Sequence, residues 1–158
     1  NTQTVTADRL YILPLMLGAA ATFTRVGILV TSAVASSNAR LGLYNMADGV
    51  PTTLIADFGA VSTATTGDKE ITISQALSAG CYALVVVFNN TPTMGRMTVS
   101  STDAGNIANN FWGGLHSGSA NYIYAYKAFT YGALASPFTG SLTYTNSSTA
   151  PFIWLRVV

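Results

Sequence analysis

The chain has 158 residues, of which only 8% are charged: seven Lys or Arg and six Asp or Glu. A soluble domain typically carries about 25% charged residues, and we interpret the deficit as a sign of buried subunit interfaces. Apolar residues reach 49% of the chain, which excludes intrinsic disorder. The net charge of +1, without a basic cluster, argues against a nucleic-acid partner, which requires positive side chains along the phosphates.

The N-terminal stretch is polar and lacks both a basic region and an initiator Met, so we expect this sequence to be the C-terminal part of a longer chain. The longest uncharged apolar stretch, residues 10–23, contains Pro14 and Gly18 and is shorter than the ~20 residues that span a bilayer. We therefore expect no membrane insertion. Cys81 is the only cysteine, and its apolar surroundings predict a buried side chain.

Along the chain, apolar and polar residues alternate with a period of two, which predicts half-buried β-strands. Turn-forming Gly, Asn, Asp, Ser and Pro residues separate nine or ten such strands, and no segment has a helical period. This spacing predicts an all-β fold, an antiparallel β-sandwich of jelly-roll type, in a single domain over residues 1–158. The alternating segments are Thr24–Ser32, Ala39–Asn45, Lys69–Ser74, Met97–Ser100 and Ser141–Thr145.

Two further segments are apolar on both faces, at Cys81–Phe88 and at Phe152–Val157. A sandwich strand needs only one apolar face, so the second face of each must be covered by a loop, by a terminus or by another subunit. Cover by another subunit would also account for the low charge, and we favour it. The alternative is cover by the N-terminal segment of the same chain.

Several segments together resemble a known family. RLYILP (Arg9–Pro14) is followed by Phe23–Ala33, by ARLGLYNMADGVPTTLIADFG (Ala39–Gly59), by TGDKEITI (Thr66–Ile73) and by LSAGCYAL (Leu77–Leu84). The sequence closes with PFIWLRV. This series is similar to the C-terminal β-sandwich domain, the receptor-binding head, of bacteriophage tail fibre and tailspike proteins. The likeness covers nearly the whole chain but is loose between Ser100 and Ser141.

The resemblance implies a homotrimer at the distal end of a tail fibre, located in the virion and acting outside the host cell. Its other partner would be a host surface glycan or an outer-membrane component. The resemblance does not decide whether the domain binds the receptor or only holds a trimer together.

The sequence offers little for catalysis. His116 is the only histidine, no G-x-S-x-G motif occurs, and the six carboxylates are scattered at turns and in strands. One His and one Cys provide no metal-ligand spacing, although a Ca²⁺ site made of backbone carbonyls stays open. We therefore predict no catalytic residue, no metal, no cofactor and no enzymatic activity.

Receptor contacts are expected in the segment from Ser100 to Tyr131, which combines Gly, Asn and Ser with aromatic side chains. Aromatic faces stack on sugars, while phenols and amides donate hydrogen bonds without charge, a combination that suits a neutral glycan and also a protein interface. The alternative is a long loop whose aromatic side chains close the end of the sandwich and whose tyrosines pack on the neighbouring subunit. Tyr122, Tyr124 and Tyr126, spaced by two, would share one strand face. The predicted receptor-binding residues are Phe111, Trp112, His116, Tyr122, Tyr124 and Tyr126.

A second group of residues is expected to be structural or to lie in subunit interfaces. Four arginines stand inside strand-like segments. Their guanidinium groups can form bidentate ion pairs with Asp8 or Asp57, or they can extend along the apolar surface to solvent. The full group is Arg9, Arg25, Arg40, Asp57, Phe152, Trp154 and Arg156.

Taken together, these features predict a trimeric domain that binds a host surface glycan, with many weak contacts made intramolecular by the trimer. Two alternatives remain. One is a structural trimerisation cap or virion decoration domain without a receptor. The other is an accessory carbohydrate-binding domain of a polysaccharide-degrading tailspike.

Overall fold

The computed structural model describes residues 1–98, 123–145 and 149–158. The residues in these ranges form twelve β-strands and no helix. The strands are β1 (Thr2–Thr4), β2 (Arg9–Leu17), β3 (Ala21–Ser32), β4 (Asn38–Ala47), β5 (Val50–Ser62), β6 (Gly67–Leu77), β7 (Gly80–Phe88), β8 (Thr93–Thr98), β9 (Ala125–Ala128), β10 (Thr143–Tyr144), β11 (Thr149–Pro151) and β12 (Ile153–Val157).

The strands belong to two antiparallel sheets of six strands each. In the first sheet the order is β1-β8-β3-β12, with β6 paired to β3 and β11 paired to β8. In the second sheet the order is β10-β9-β2-β7-β4-β5. One hydrophobic core takes side chains from both sheets. The all-β prediction is therefore confirmed, and the arrangement is consistent with a β-sandwich.

In β3 and β4 the period-two pattern identified the side chains that face the core, while Tyr44 on the other face of β4 is buried as well. Val26, Ile28 and Val30 of β3 are buried in the core, as are Leu41 and Leu43 of β4. The turn between β4 and β5 likewise follows from its residue types. Asp48 and Gly49 both have positive φ, 49° and 75°, as a two-residue type I′ hairpin turn requires.

The second apolar face of β7 is covered by the chain itself. Ala83, Val85 and Val87 form a second buried cluster, and packed against it are Phe129, Tyr131, Leu134, Phe138 and Leu142. We call residues 129–142 the covering segment. For β7, the favoured expectation of cover by another subunit is wrong, and so is the alternative of cover by the N-terminal segment, because this later part of the same chain buries the strand.

The covering segment is held by residues of the block that carries the family resemblance. The Leu134 side chain lies over Gly42, where a Cβ would be 2.1 Å from Leu134 Cδ1. Asp57 Oδ2 accepts a hydrogen bond from the Leu134 N–H at 3.0 Å, and the Tyr44 hydroxyl donates to the Ala135 carbonyl at 2.7 Å. The A-R-L-G-L-Y and L-x-A-D-x-G patterns thus have a structural function in this chain, as a dock for the covering segment.

The predicted burial of Cys81 is wrong. Cys81 is exposed and pairs with Met16 at the end of β2, another exposed residue. The covering segment packs on the three apolar residues farther along this face of β7, Ala83, Val85 and Val87. The thiol therefore lies on the surface although its strand is one of the most buried.

Candidate functional site

The clearest candidate site among the described residues is on the outer face of the first sheet. Trp154 of β12 pairs with Gly27 of β3, and both neighbours of Gly27 point into the core. Because side chains alternate along a strand, Trp154 points to the outer face. The residue as a whole is half-buried, so it keeps some exposure to solvent.

Gly27 is what allows the indole to lie against the sheet. A Cβ at Gly27 would be 2.2 Å from Trp154 Cζ2 and 2.8 Å from the Lys69 carbonyl oxygen. The ring therefore extends from β12 across β3 towards β6. A side chain that lies against the backbone loses less freedom on binding than one that projects freely.

Two guanidinium groups and one carboxylate lie beside the indole. Arg156 Cζ is 5.7 Å from the ring centroid of Trp154. Glu70 Oε1 is 3.4 Å from Arg156 Nη2, and Glu70 Oε2 is 3.5 Å from Arg25 Nε. We call Trp154, Arg25, Arg156 and Glu70 the Trp154 surface.

This surface combines the groups that recognise sugars. An indole offers a broad apolar face for the CH groups of a pyranose, and the guanidiniums supply N–H donors in a planar fork. Exposed ion pairs of this length contribute little to stability, about 0–1 kcal/mol. The three charged side chains can therefore exchange partners at small cost.

A separate apolar cavity of about 290 Å³ lies between the two sheets. It is near the lower end of the range for small-molecule sites, about 300–1,000 Å³. Among the described residues, its wall includes no charged group, which suits an apolar side chain rather than a sugar. The lining residues are Leu13, Pro14, Leu15, Leu84, Met97, Ile123, Pro151, Phe152 and Ile153.

Most of the sequence-predicted receptor residues lie outside the described residues. Phe111, Trp112, His116 and Tyr122 all fall within residues 99–122. Their predicted contact with a receptor stays a prediction.

Tyr124 and Tyr126 share one face, as the spacing predicts, but they face inward. Tyr124 is 6% exposed, and its ring centroid is 5.8 Å from that of Tyr11 and 6.4 Å from that of Tyr126. Burial raises the pKa of the Tyr124 phenol. A position in the core does not fit a direct receptor contact. Tyr126 is half-buried, and the Arg9 guanidinium lies 4.1 Å from its ring centroid, a cation–π contact.

The remaining arginines in the predicted structural group divide between the two sheets. In the second sheet, Arg40 Nε lies 2.9 Å from both carboxylate oxygens of Asp57. Asp57 also accepts the Gly59 N–H, so this ion pair supports the dock for the covering segment rather than a ligand site. In the first sheet, Arg25 and Arg156 share Glu70 instead.

Sequence reasoning missed Gly27 and Glu70 as members of the site. Both follow from strand register, because Gly27 is the direct partner of Trp154 on one side and of Glu70 on the other. A glycine inside an otherwise apolar strand is a signal of close approach, and that signal was present in the sequence.

Neither a metal site nor a membrane-spanning helix is found in the described ranges. No group of three or more His, Cys, Asp or Glu side chains in them could hold a metal ion. No helix in those ranges is long and apolar enough to cross a membrane.

Comparisons of the chain with protein-family models, with curated proteins and with solved structures found no match.

Proposed function

We propose that this chain is a carbohydrate-binding head domain of the kind found at the distal end of phage tail fibres and tailspikes. It would be a jelly-roll sandwich that acts as a homotrimer on the outside of the virion and binds a glycan of the host surface. Binding, rather than catalysis, is its proposed activity.

The observation that carries this proposal is the Trp154 surface. The indole of Trp154, a residue that keeps some exposure to solvent, is fixed against Gly27, and hydrogen-bond donors stand beside it. An aromatic side chain of this kind on a sheet face provides apolar contact area with little loss of conformational freedom on binding. The family resemblance supports the same function, and its most specific part, from the A-R-L-G-L-Y pattern to the L-x-x-G-x-Y pattern, extends well beyond the Trp154 surface.

The proposed trimer has its own support at the strand edges. β2 pairs with β9 only as far as Ile12, and the apolar cavity lies next to this point, between Leu13–Leu15 and Pro151–Ile153. Phe152 is 40% exposed there. Strand edges with apolar side chains favour association with another chain, and the proposed occupant is a second copy of this one.

The same apolar edge favours the second candidate function, a trimerisation cap without a receptor. In that case the Trp154 surface would have no ligand. The two functions differ in one measurement, binding of the purified trimer to host cells and to their surface polysaccharides.

The deciding experiment compares Trp154→Ala with Trp112→Ala in adsorption to cells and on an array of bacterial polysaccharides. We expect wild type to bind and Trp154→Ala to lose at least about tenfold in affinity, as for a central aromatic contact, while remaining a folded trimer. Loss with Trp112→Ala alone would assign the receptor to the sequence-predicted segment instead. A folded wild-type trimer that binds neither cells nor polysaccharide would leave the trimerisation cap as the function.

A further inference from the structure

We infer that the Trp154 surface binds an acidic sugar, a uronic or nonulosonic acid residue whose carboxylate is held by Arg25 and Arg156 while its ring lies on the indole. This inference rests on the proposed function and names the class of glycan. A neutral sugar would use the indole but not the charge that surrounds it.

The guanidinium groups have unused donors. An arginine carries five N–H donors, and here Arg156 uses one on Glu70 while Arg25 has only a 3.5 Å ion pair to the same carboxylate. No other hydrogen bond or ion pair to these two guanidiniums is made by residues 1–98, 123–145 or 149–158. Both groups are more than one-third exposed.

The two ion pairs to Glu70 are also longer than strong Arg–carboxylate hydrogen bonds. Strong Arg–carboxylate hydrogen bonds are about 2.7–2.9 Å long, whereas the two contacts to Glu70 are 3.4 and 3.5 Å. One carboxylate shared by two guanidiniums leaves a local charge of +1. A ligand carboxylate would neutralise that charge and could bind in the two-pronged geometry that arginine favours.

The two arginines and the indole of Trp154 lie on the same outer face of the first sheet. Arg156 is the direct strand partner of Arg25, so the two side chains lie next to each other on one face of the sheet. Trp154 lies two residues before Arg156 and therefore on the same face of β12. A sugar lying on the indole would therefore direct a ring carboxylate towards the arginine pair. In a protein whose charged residues amount to 8% of the chain, the two guanidiniums share Glu70 as their one carboxylate partner among the described residues, and Arg156 also contacts the Trp154 ring.

The test uses the purified full chain on an array of bacterial polysaccharides, printed in native form and after reduction of their carboxyl groups to alcohols. Phosphate-bearing polymers are included as a separate arm. We expect binding to native uronic- or nonulosonic-acid polymers and a loss of at least about tenfold after carboxyl reduction, as for a charge-assisted pair. Binding should weaken as salt concentration rises.

Four variants locate the effect. Arg25→Gln and Arg156→Gln should each weaken binding about tenfold, whereas Lys69→Gln, which removes the same charge from the neighbouring position on β6, should change it less than about twofold. Glu70→Gln should strengthen binding about threefold or more, because the competing carboxylate is lost. A merely structural role for Glu70 would weaken it instead.

Each result decides between defined outcomes. Equal binding of native and reduced polymers, binding of neutral glycans alone or binding of phosphate polymers alone would overturn the acidic-sugar inference and leave the proposed carbohydrate-binding function intact. Adsorption to cells without binding to any polymer would overturn both the acidic-sugar inference and glycan binding, since another receptor would then be responsible. Absence of both polymer binding and cell adsorption would overturn the proposed function itself.

Discussion

Gly27 shows how one missing side chain creates the candidate site. The indole of Trp154 occupies the space that a Cβ would take, and the backbone of β6 closes the same space from the far side. The position of the indole on the sheet surface therefore depends on Gly27 and on the register of the three strands β12, β3 and β6.

Replacing Gly27 by Ala should displace the indole and destabilise the fold. The added methyl would be 2.2 Å from Trp154 and 2.8 Å from a backbone oxygen, and overpacking of this kind costs about 1–3 kcal/mol. We expect a lower unfolding midpoint, a changed tryptophan emission spectrum and weaker glycan binding. Gly18→Ala is the matched control, because nothing lies within 4 Å of a Cβ there. Equal midpoints for the two variants would contradict the close approach.

Because of Tyr44, we expect the free energy of unfolding to decrease as pH rises in the alkaline range. Burial, together with the nearby Asp57 carboxylate, raises the pKa of Tyr44 from 10.0 to about 12. Because the folded-state pKa is the higher one, its contribution to stability is complete below about pH 10 and is lost as pH rises through about 12. Burial also raises the pKa of Tyr124, Tyr131 and Tyr144, so the whole protein should lose stability in the same direction.

The variant Tyr44→Phe separates this residue from the others. It removes the hydrogen bond to the Ala135 carbonyl, which should lower the free energy of unfolding at neutral pH by about 1 kcal/mol. Between about pH 9 and 12, however, its free energy of unfolding should fall less steeply than that of wild type. Urea unfolding at a series of pH values measures both effects, and parallel pH profiles would refute the assignment to Tyr44.

At the scale of the elements, Asp57 fixes the covering segment to the second sheet. Its carboxylate accepts N–H groups from Leu134, Gly59 and the Arg40 guanidinium at 2.9–3.0 Å. Asp57→Asn keeps the size of the side chain but leaves Arg40 without its counter-charge, at an expected cost of about 2–3 kcal/mol.

Hydrogen exchange can locate that loss. Amides of residues 129–142 should exchange faster in Asp57→Asn than in wild type, because local opening of the covering segment becomes easier. Asp68→Asn at the exposed start of β6 serves as the control and should have no such effect. Faster exchange spread evenly over both sheets would show that Asp57 supports the whole fold and not this segment.

Strands such as β3 and β4 were predictable because they have a local signature, whereas the short β1 and β11 bring the observed number to twelve. Alternation placed Val26, Ile28 and Val30 in the core, and the Asp48–Gly49 pair marked a hairpin. The covering segment had no such signature: residues 129–142 have no regular period, and the need to bury the second face of β7 did not reveal which part of the chain would do it. Cys81 was misjudged for the same reason, since its exposure depends on where the covering segment ends.

The candidate site was predictable only in part. Trp154, Arg25 and Arg156 were identified as unusual residues for their strands, but as members of an interface. Their meeting with Glu70 depends on the register of β12 and β6 against β3. That register is set by contacts between distant segments, so no local pattern could supply it.

At the scale of the whole molecule, the chain itself explains part of the low charge. The covering segment buries the second face of β7 within one chain, which accounts for part of the apolar excess without any partner. Among the described residues, the large apolar side chains that remain exposed are Met16, Val50, Phe152, Val157 and Val158, and of these Phe152 lines the cavity. Support for a second subunit therefore comes from the exposed Phe152 beside the cavity and from the family resemblance.

We expect the purified chain to sediment as a trimer at micromolar concentration and the variant Phe152→Asp to dissociate. A carboxylate in an apolar interface would be desolvated without a partner, which should weaken association by at least about tenfold, or about 1.4 kcal/mol. Val50→Asp is the matched control, because Val50 at the β4–β5 hairpin is 38% exposed against 40% for Phe152. If Val50→Asp dissociates the trimer and Phe152→Asp does not, the interface lies at the hairpin end instead. A wild-type monomer at micromolar concentration would contradict the trimer and leave the exposed apolar edge as a surface for some other partner.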